Sequence, residues 1–155
     1  FKEDDMRGAL RALNATANQA SSLWARPELI DLAHASARLH ATSPSVDNTQ
    51  ILTKSISALQ ALVLKTPQDA QGWQVLATAL AAQGRTLASL RAEGEVQIAR
   101  MDFGAAVDRF KAAQDLARQL ARENKLDRAG HIEAAIVDAR LRELDALRRE
   151  QALQR

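Results

Sequence analysis

The chain of 155 residues has no cysteine and no tyrosine, and aromatic residues make up only 3% of it. Without thiols there is no disulfide scaffold, no thiol nucleophile and no cysteine-ligated metal site, although the cellular compartment stays open. No stretch approaches the ~18–20 consecutive apolar residues of a membrane-spanning helix, and none has the pattern of a signal peptide. A chain that starts at Phe1 rather than Met reads as a processed product or a piece of a longer protein. Strand-forming residues are scarce as well. Alanine (32 residues) and leucine (21) dominate, together with Arg and Gln. These side chains lose little freedom in a helix, so the composition predicts an all-α fold in a single domain.

Charge of one sign is also lacking. Twenty-one Lys and Arg face 19 Asp and Glu, a net charge of +2. The isoelectric point of 9.4 therefore overstates the basicity. With no Cys or Tyr and few Lys, little titrates between pH 7 and 10, and a small excess of Arg carries the value upward. A dedicated nucleic-acid partner is not expected. The basic C-terminal segment mixes Arg140, Arg142, Arg148, Arg149 and Arg155 with Glu143, Asp145 and Glu150. That alternation predicts a solvent-facing helix with local pairs such as Asp145 with Arg148 or Arg149.

Apolar residues recur at helical spacing between the prolines and glycines, predicting about seven helices. The first covers residues 3–18, and the second residues 27–41, with Leu29, Leu32, Ser36 and Leu39 on one face. A flexible loop, TSPSVDN, is expected next. The third, residues 49–65, carries Leu52, Ile56, Leu59, Leu62 and Val63 at steps of three and four. Asp69 is placed to cap a fourth over residues 70–83, bearing Trp73, Leu76 and Leu80. The fifth spans residues 86–100. Asp102 opens the sixth, with Phe103, Ala106, Val107, Phe110, Ala113 and Leu120 inward. Asp127 opens the seventh, with Ile132, Ile136, Val137, Leu141, Leu144 and Leu147. Short links between such helices make consecutive ones antiparallel neighbours, a stack of helical hairpins.

Functional motifs are absent. His34 and His40 lie six positions apart, about 240° around a helix, and His131 and Glu133 fall on nearly opposite faces. No HExxH pair, phosphate loop or nucleophile motif occurs. No catalytic residue, metal ligand or cofactor is expected within the chain.

A period near 34 residues is visible. Leu90, Gly94, Ala106, Phe110 and Ala113 follow the large and small pattern of a tetratricopeptide repeat, and MDFGAAVDRF is similar to its turn and second helix. GWQVLATALAAQG supplies another first helix, with Trp73, Leu76, Ala77 and Leu80 in order. The two first-helix matches are 17 residues apart, half a period, so the helix at 86–100 serves two pairs. Ser55 and Ser89 depart from the usual small Ala, Arg118 from a repeat-ending Pro, and the loop around Pro44 is longer than a repeat allows. Residues 1–47 are read as less regular N-terminal helices, 48–125 as the repeat core and 126–155 as a capping helix. Trp73, Leu76, Leu80, Phe103, Ala106 and Phe110 are the expected anchors.

Residues 67–144, with a weaker extension to about residue 49, resemble the C-terminal repeat region of bacterial periplasmic zinc metallopeptidases of the beta-barrel assembly-enhancing kind. The resemblance implies a short, TPR-like right-handed solenoid and a periplasmic location. It implies a non-catalytic module whose zinc-bearing protease domain lies outside this chain. The implied partners are proteins or peptides, among them the protease domain itself and the outer-membrane assembly machinery. Repeat positions that face the groove correspond here to Gln74, Thr78, Arg91 and Glu95. A stand-alone TPR-like scaffold or adaptor with no enzymatic parent is the alternative reading.

Overall fold

The computed structural model of the chain describes Gly8 and residues 25–155, and the regular structure of these residues is entirely helical. The helix expected at residues 3–18 falls, Gly8 apart, outside the described residues. Six helices follow one another: α1 (Arg26–Thr42), α2 (Val46–Lys65), α3 (Ala70–Ala82), α4 (Thr86–Ala99), α5 (Phe103–Arg122) and α6 (Arg128–Leu153).

Local chemistry explains where each begins. Pro27 occupies the first turn of α1, where a missing N–H costs nothing. Ser45, Asp69, Asp102 and Asp127 each accept a hydrogen bond from the amide three residues on, at Asn48, Gly72, Ala105 and Gly130. Such caps satisfy amides that have no partner within the helix. The Ser45 cap corrects one expectation. α2 starts at Val46, so the TSPSVDN segment is mostly helix rather than loop, further pinned by Asn48 Nδ2 donating to the Ser43 carbonyl at 2.6 Å. Ser, Pro, Asp and Asn favour helix starts as well as loops, and here the start prevails.

α3, α4 and α5 end alike. A residue in the left-handed region follows each: Gly84 (φ 80°), Met101 (φ 63°) and Asn124 (φ 55°). The next amide then reaches back to the helix, Arg85 to Leu80 O, Asp102 to Gln97 O and Lys125 to Leu120 O, at 2.8–2.9 Å. This reverse turn satisfies the last carbonyls and sends the chain back along the preceding helix.

Every helix packs on its neighbour in sequence, and in addition α1 touches α3 and α4 touches α6. Two triplets result, α1–α2–α3 and α4–α5–α6, joined through α3 and α4. The first core holds Leu29, Ile30, Leu52, Ile56, Leu59, Trp73, Leu76 and Leu80. The second holds Ala106, Val107, Phe110, Ala113, Val137 and Leu144. α4 serves both. Its Ala88, Ala92 and Val96 enter the first core, while Leu87, Leu90 and Ile98 belong to the second. Such a helix is apolar on opposite sides and has no clear amphipathic stripe.

Of the expected anchors, Trp73, Leu76, Leu80, Ala106 and Phe110 are buried, and Phe103 is half-buried against the second core. Trp73 also donates its indole N–H to the Pro67 carbonyl at 2.9 Å. Ile132 departs from expectation. It is 56% exposed, because the face of α6 that meets α5 and α4 is centred on Val137, Leu141 and Leu144.

Candidate protein-interaction surface

α3 turns Gln74 and Thr78 to solvent, one helical turn apart. The Thr78 hydroxyl donates back to the Gln74 main-chain carbonyl at 3.1 Å, and the Gln74 carboxamide has no hydrogen-bond partner among the described residues. α4 places Arg91 and Glu95 differently. Arg91 is half-buried, with its guanidinium 5.3 Å from the centre of the Trp73 ring, within range of a cation–π contact. Glu95 is buried, at 6% exposure.

A buried carboxylate needs a partner, and α6 supplies one. Arg140 donates Nε to Glu95 Oε1 at 2.9 Å and Nη2 to Oε2 at 2.8 Å, a two-pronged pair. It also reaches Glu143, three residues along its own helix. Burial works against the charge on Arg140, but the hydrogen bonds and charge of Glu95, aided by Glu143, outweigh it and hold the guanidinium pKa above its ordinary value. Arg91 stands 3.8 Å from the same Glu95 carboxylate, and its Nε is buried without a hydrogen-bond partner. The four positions expected to face a groove therefore divide into a solvated pair on α3 and a pair on α4 tied into a Trp73–Arg91–Glu95–Arg140 cluster.

Arg140 is the residue that sequence reasoning placed on the wrong side. Its neighbours in the basic C-terminal run face solvent, and it alone of that run turns inward, at 29% side-chain exposure. The expected pairs of Asp145 with Arg148 or Arg149 do not form among the described residues, and all three side chains face solvent. The available signal was the spacing of Arg140 from Val137 and Leu144, which puts it beside the buried stripe of α6.

A second tie holds the other end of the surface. Asp69, the α3 cap, also accepts from Arg26 on α1 at 2.5 and 2.7 Å. Hydrogen bonding to Arg26 is the main reason the Asp69 carboxyl stays below the usual carboxylate range, helped by the Gly72 amide and by the Arg26 charge, against the opposing effect of burial. Ser89, which departs from the repeat pattern, is buried at the α3–α4 contact and donates to the Ala77 carbonyl at 2.8 Å.

No group of three or more His, Asp or Glu among the described residues is arranged to hold a metal ion, and no described helix is long and apolar enough to cross a membrane. The fold and this surface define a helical protein of stacked neighbouring helices with polar side chains carried on its central pair. Comparison with protein-family models, curated proteins and solved structures finds no match to the chain.

Proposed function

We propose that this chain is a non-catalytic protein-interaction module of TPR-like hairpins. On this reading it belongs to a periplasmic zinc metallopeptidase of the beta-barrel assembly-enhancing kind, and it recruits or positions protein substrates or outer-membrane assembly partners. The observation that carries the repeat reading is the crossing of α4 and α5. A Cβ on Gly94 would lie 2.7 Å from the Phe110 ring, so a small residue on one helix and an aromatic on the next meet where the repeat pattern asks for them. The α1–α3 and α4–α6 contacts support stacking of hairpins. The change of partner at α4 matches the half-period spacing of the two first-helix motifs. The parentage rests on the likeness over residues 67–144, and the zinc belongs to the catalytic domain of that parent.

On this reading Gln74 and Thr78 hydrogen-bond an extended segment of the partner, while the Trp73–Arg91–Glu95–Arg140 cluster holds α3, α4 and α6 in register beneath it. Fluorescence anisotropy with a labelled, unfolded outer-membrane β-barrel polypeptide tests the module. The double variant Gln74→Ala, Thr78→Ala is expected to weaken binding about tenfold with an unchanged unfolding midpoint, the loss of one or two hydrogen bonds. Equal affinity removes these residues from the contact, and no binding by the parent chain removes the function. The gene is expected to encode an HExxH helix upstream of Phe1. Its absence favours the stand-alone scaffold or adaptor.

A further inference from the structure

The α3–α4 turn, the C-terminal end of α5 and the first turns of α6 enclose a cleft of about 330 Å³. That volume is at the lower end of the range for small-ligand sites. Leu87, Leu116, Leu120 and Leu126 supply apolar lining. Glu133, on α6, lines the same cleft, and its Oε2 is shut off from solvent without a hydrogen-bond partner.

Buried polar atoms in folded proteins nearly always have a partner, so a carboxylate with one oxygen orphaned is short of compensation for its charge, and the cleft is the side from which a cation can supply it. The other charges of the cleft are accounted for. Lys125 Nζ is 3.2 Å from Glu123, and Asp127 accepts from the Gly130 amide at 2.7 Å. Arg85 is partly exposed and reaches water. The inner oxygen of Glu133 does not, so the carboxylate sets the sign of a complementary ligand. A half-turn of the terminal torsion only exchanges the two oxygens, so a donor entering the cleft meets the outer one and there offsets the charge of the whole carboxylate.

We propose that this cleft binds an organic ammonium ion with an apolar stem, the ammonium on Glu133 and the stem against the leucines. A free alkylamine and a lysine side chain share this chemistry. The proposal does not rest on the protein-binding reading.

The test is titration of the whole chain with n-hexylammonium, n-hexanol, hexanoate and N-acetyl-lysine amide, followed by calorimetry and by amide chemical shifts. Saturable binding of hexylammonium is expected, with the largest shifts at Leu120, Lys125 and Gly130. Hexanol should bind about tenfold more weakly, the difference made by a charge-assisted hydrogen bond. Glu133→Gln, which keeps the shape of the side chain, should lower hexylammonium affinity about tenfold and leave hexanol unchanged, its amide spectrum reporting an intact fold. Arg85→Gln should bind hexylammonium at least as tightly as the parent chain. Tighter binding of the lysine derivative identifies a protein side chain as the source, and tighter binding of hexylammonium a free amine. The proposal is overturned by the absence of saturable ammonium binding, by undiminished affinity in Glu133→Gln, by preference for hexanoate, or by loss of binding in Arg85→Gln.

Discussion

The two triplets bury their side chains in different ways. In α1–α2–α3 the core around Trp73 combines Leu, Ile and Val from all three helices with alanines, and each helix contributes a row of buried residues. In α4–α5–α6 one ring, Phe110, sits at 0% exposure close against Gly94, in a core shared with Leu87, Val107, Val137, Leu144 and three alanines, and α6 buries only Val137 and Leu144 along 26 residues. More large side chains share the burial in the first, whereas in the second the largest one fits closely against a glycine. The first should therefore tolerate single changes better than the second. The buried polar chemistry divides in the same way. The Arg26–Asp69 tie of the first triplet is partly open to solvent, with Arg26 42% exposed, while the Glu95–Arg140 tie of the second is mostly closed.

The comparison is broken hardest by removing each large anchor. Phe110→Ala and Trp73→Ala should each cost about 3–5 kcal/mol by the combined loss of burial and opening of a cavity. Urea unfolding checks both, and the loss should be larger at Phe110, whose small neighbours have little with which to refill the space. A larger loss at Trp73 reverses the comparison.

Removing the partner of a buried charge comes next. Arg140→Ala strips buried Glu95 of both its hydrogen bonds, with only Arg91 at 3.8 Å to offset the charge, and should cost about 3 kcal/mol. Glu95→Gln should cost less, since the more exposed Arg140 can turn toward water and keep Glu143. Equal losses in thermal unfolding would mean that both ends of the pair are equally trapped.

Gly94→Ala sharpens the account of close fit. Alanine is the better helix former by about 1 kcal/mol, yet the added methyl would stand 2.7 Å from the Phe110 ring. Net destabilisation of about 1–3 kcal/mol is expected from overpacking. In a Phe110→Ala background the same change should become neutral or stabilising. A double-mutant cycle measures the coupling, and additive effects would show that ring and glycine do not constrain each other.

The smallest effect belongs to Asp69. Its folded pKa is depressed, so its contribution is fully present above the unfolded carboxyl pKa of about 3.9 and is lost as pH falls through the folded value. Between about pH 5 and the acid limit the parent chain should lose stability more steeply than Asp69→Asn, and the two curves should converge at low pH. Parallel curves in urea titrations at each pH would remove Asp69 as a source of acid sensitivity.

Much of the fold was legible in the residues. Asp69, Asp102 and Asp127 mark helix starts because short acceptor side chains satisfy the first amides, a relation confined to three or four neighbouring residues. The stripes of α2 and α5 follow from the period of the helix alone. Gly94 and Phe110 were legible as a small and a large position, whereas their meeting depends on how α4 crosses α5. Ser45 was misread because its residue type suits a loop as well as a cap. Ile132 was misread because two apolar residues a turn apart do not say which of two nearby faces the neighbouring helix will cover.

The candidate surface was legible by halves. The exposure of Gln74 and Thr78 follows from the phase of α3, set by Trp73, Leu76 and Leu80 on its other side. The burial of Glu95 depends on where α6 passes, and the links Glu95–Arg140 and Arg26–Asp69 join residues 45 and 43 positions apart. The residues by themselves determined the helical character of the described chain, most of its helix starts and most of its buried faces, because those depend on interactions within a few residues. Only the tertiary structure decided which charges become partners, that one oxygen of Glu133 is shut away from water and that α4 faces two cores. Those outcomes depend on distances between helices, which local propensity does not encode.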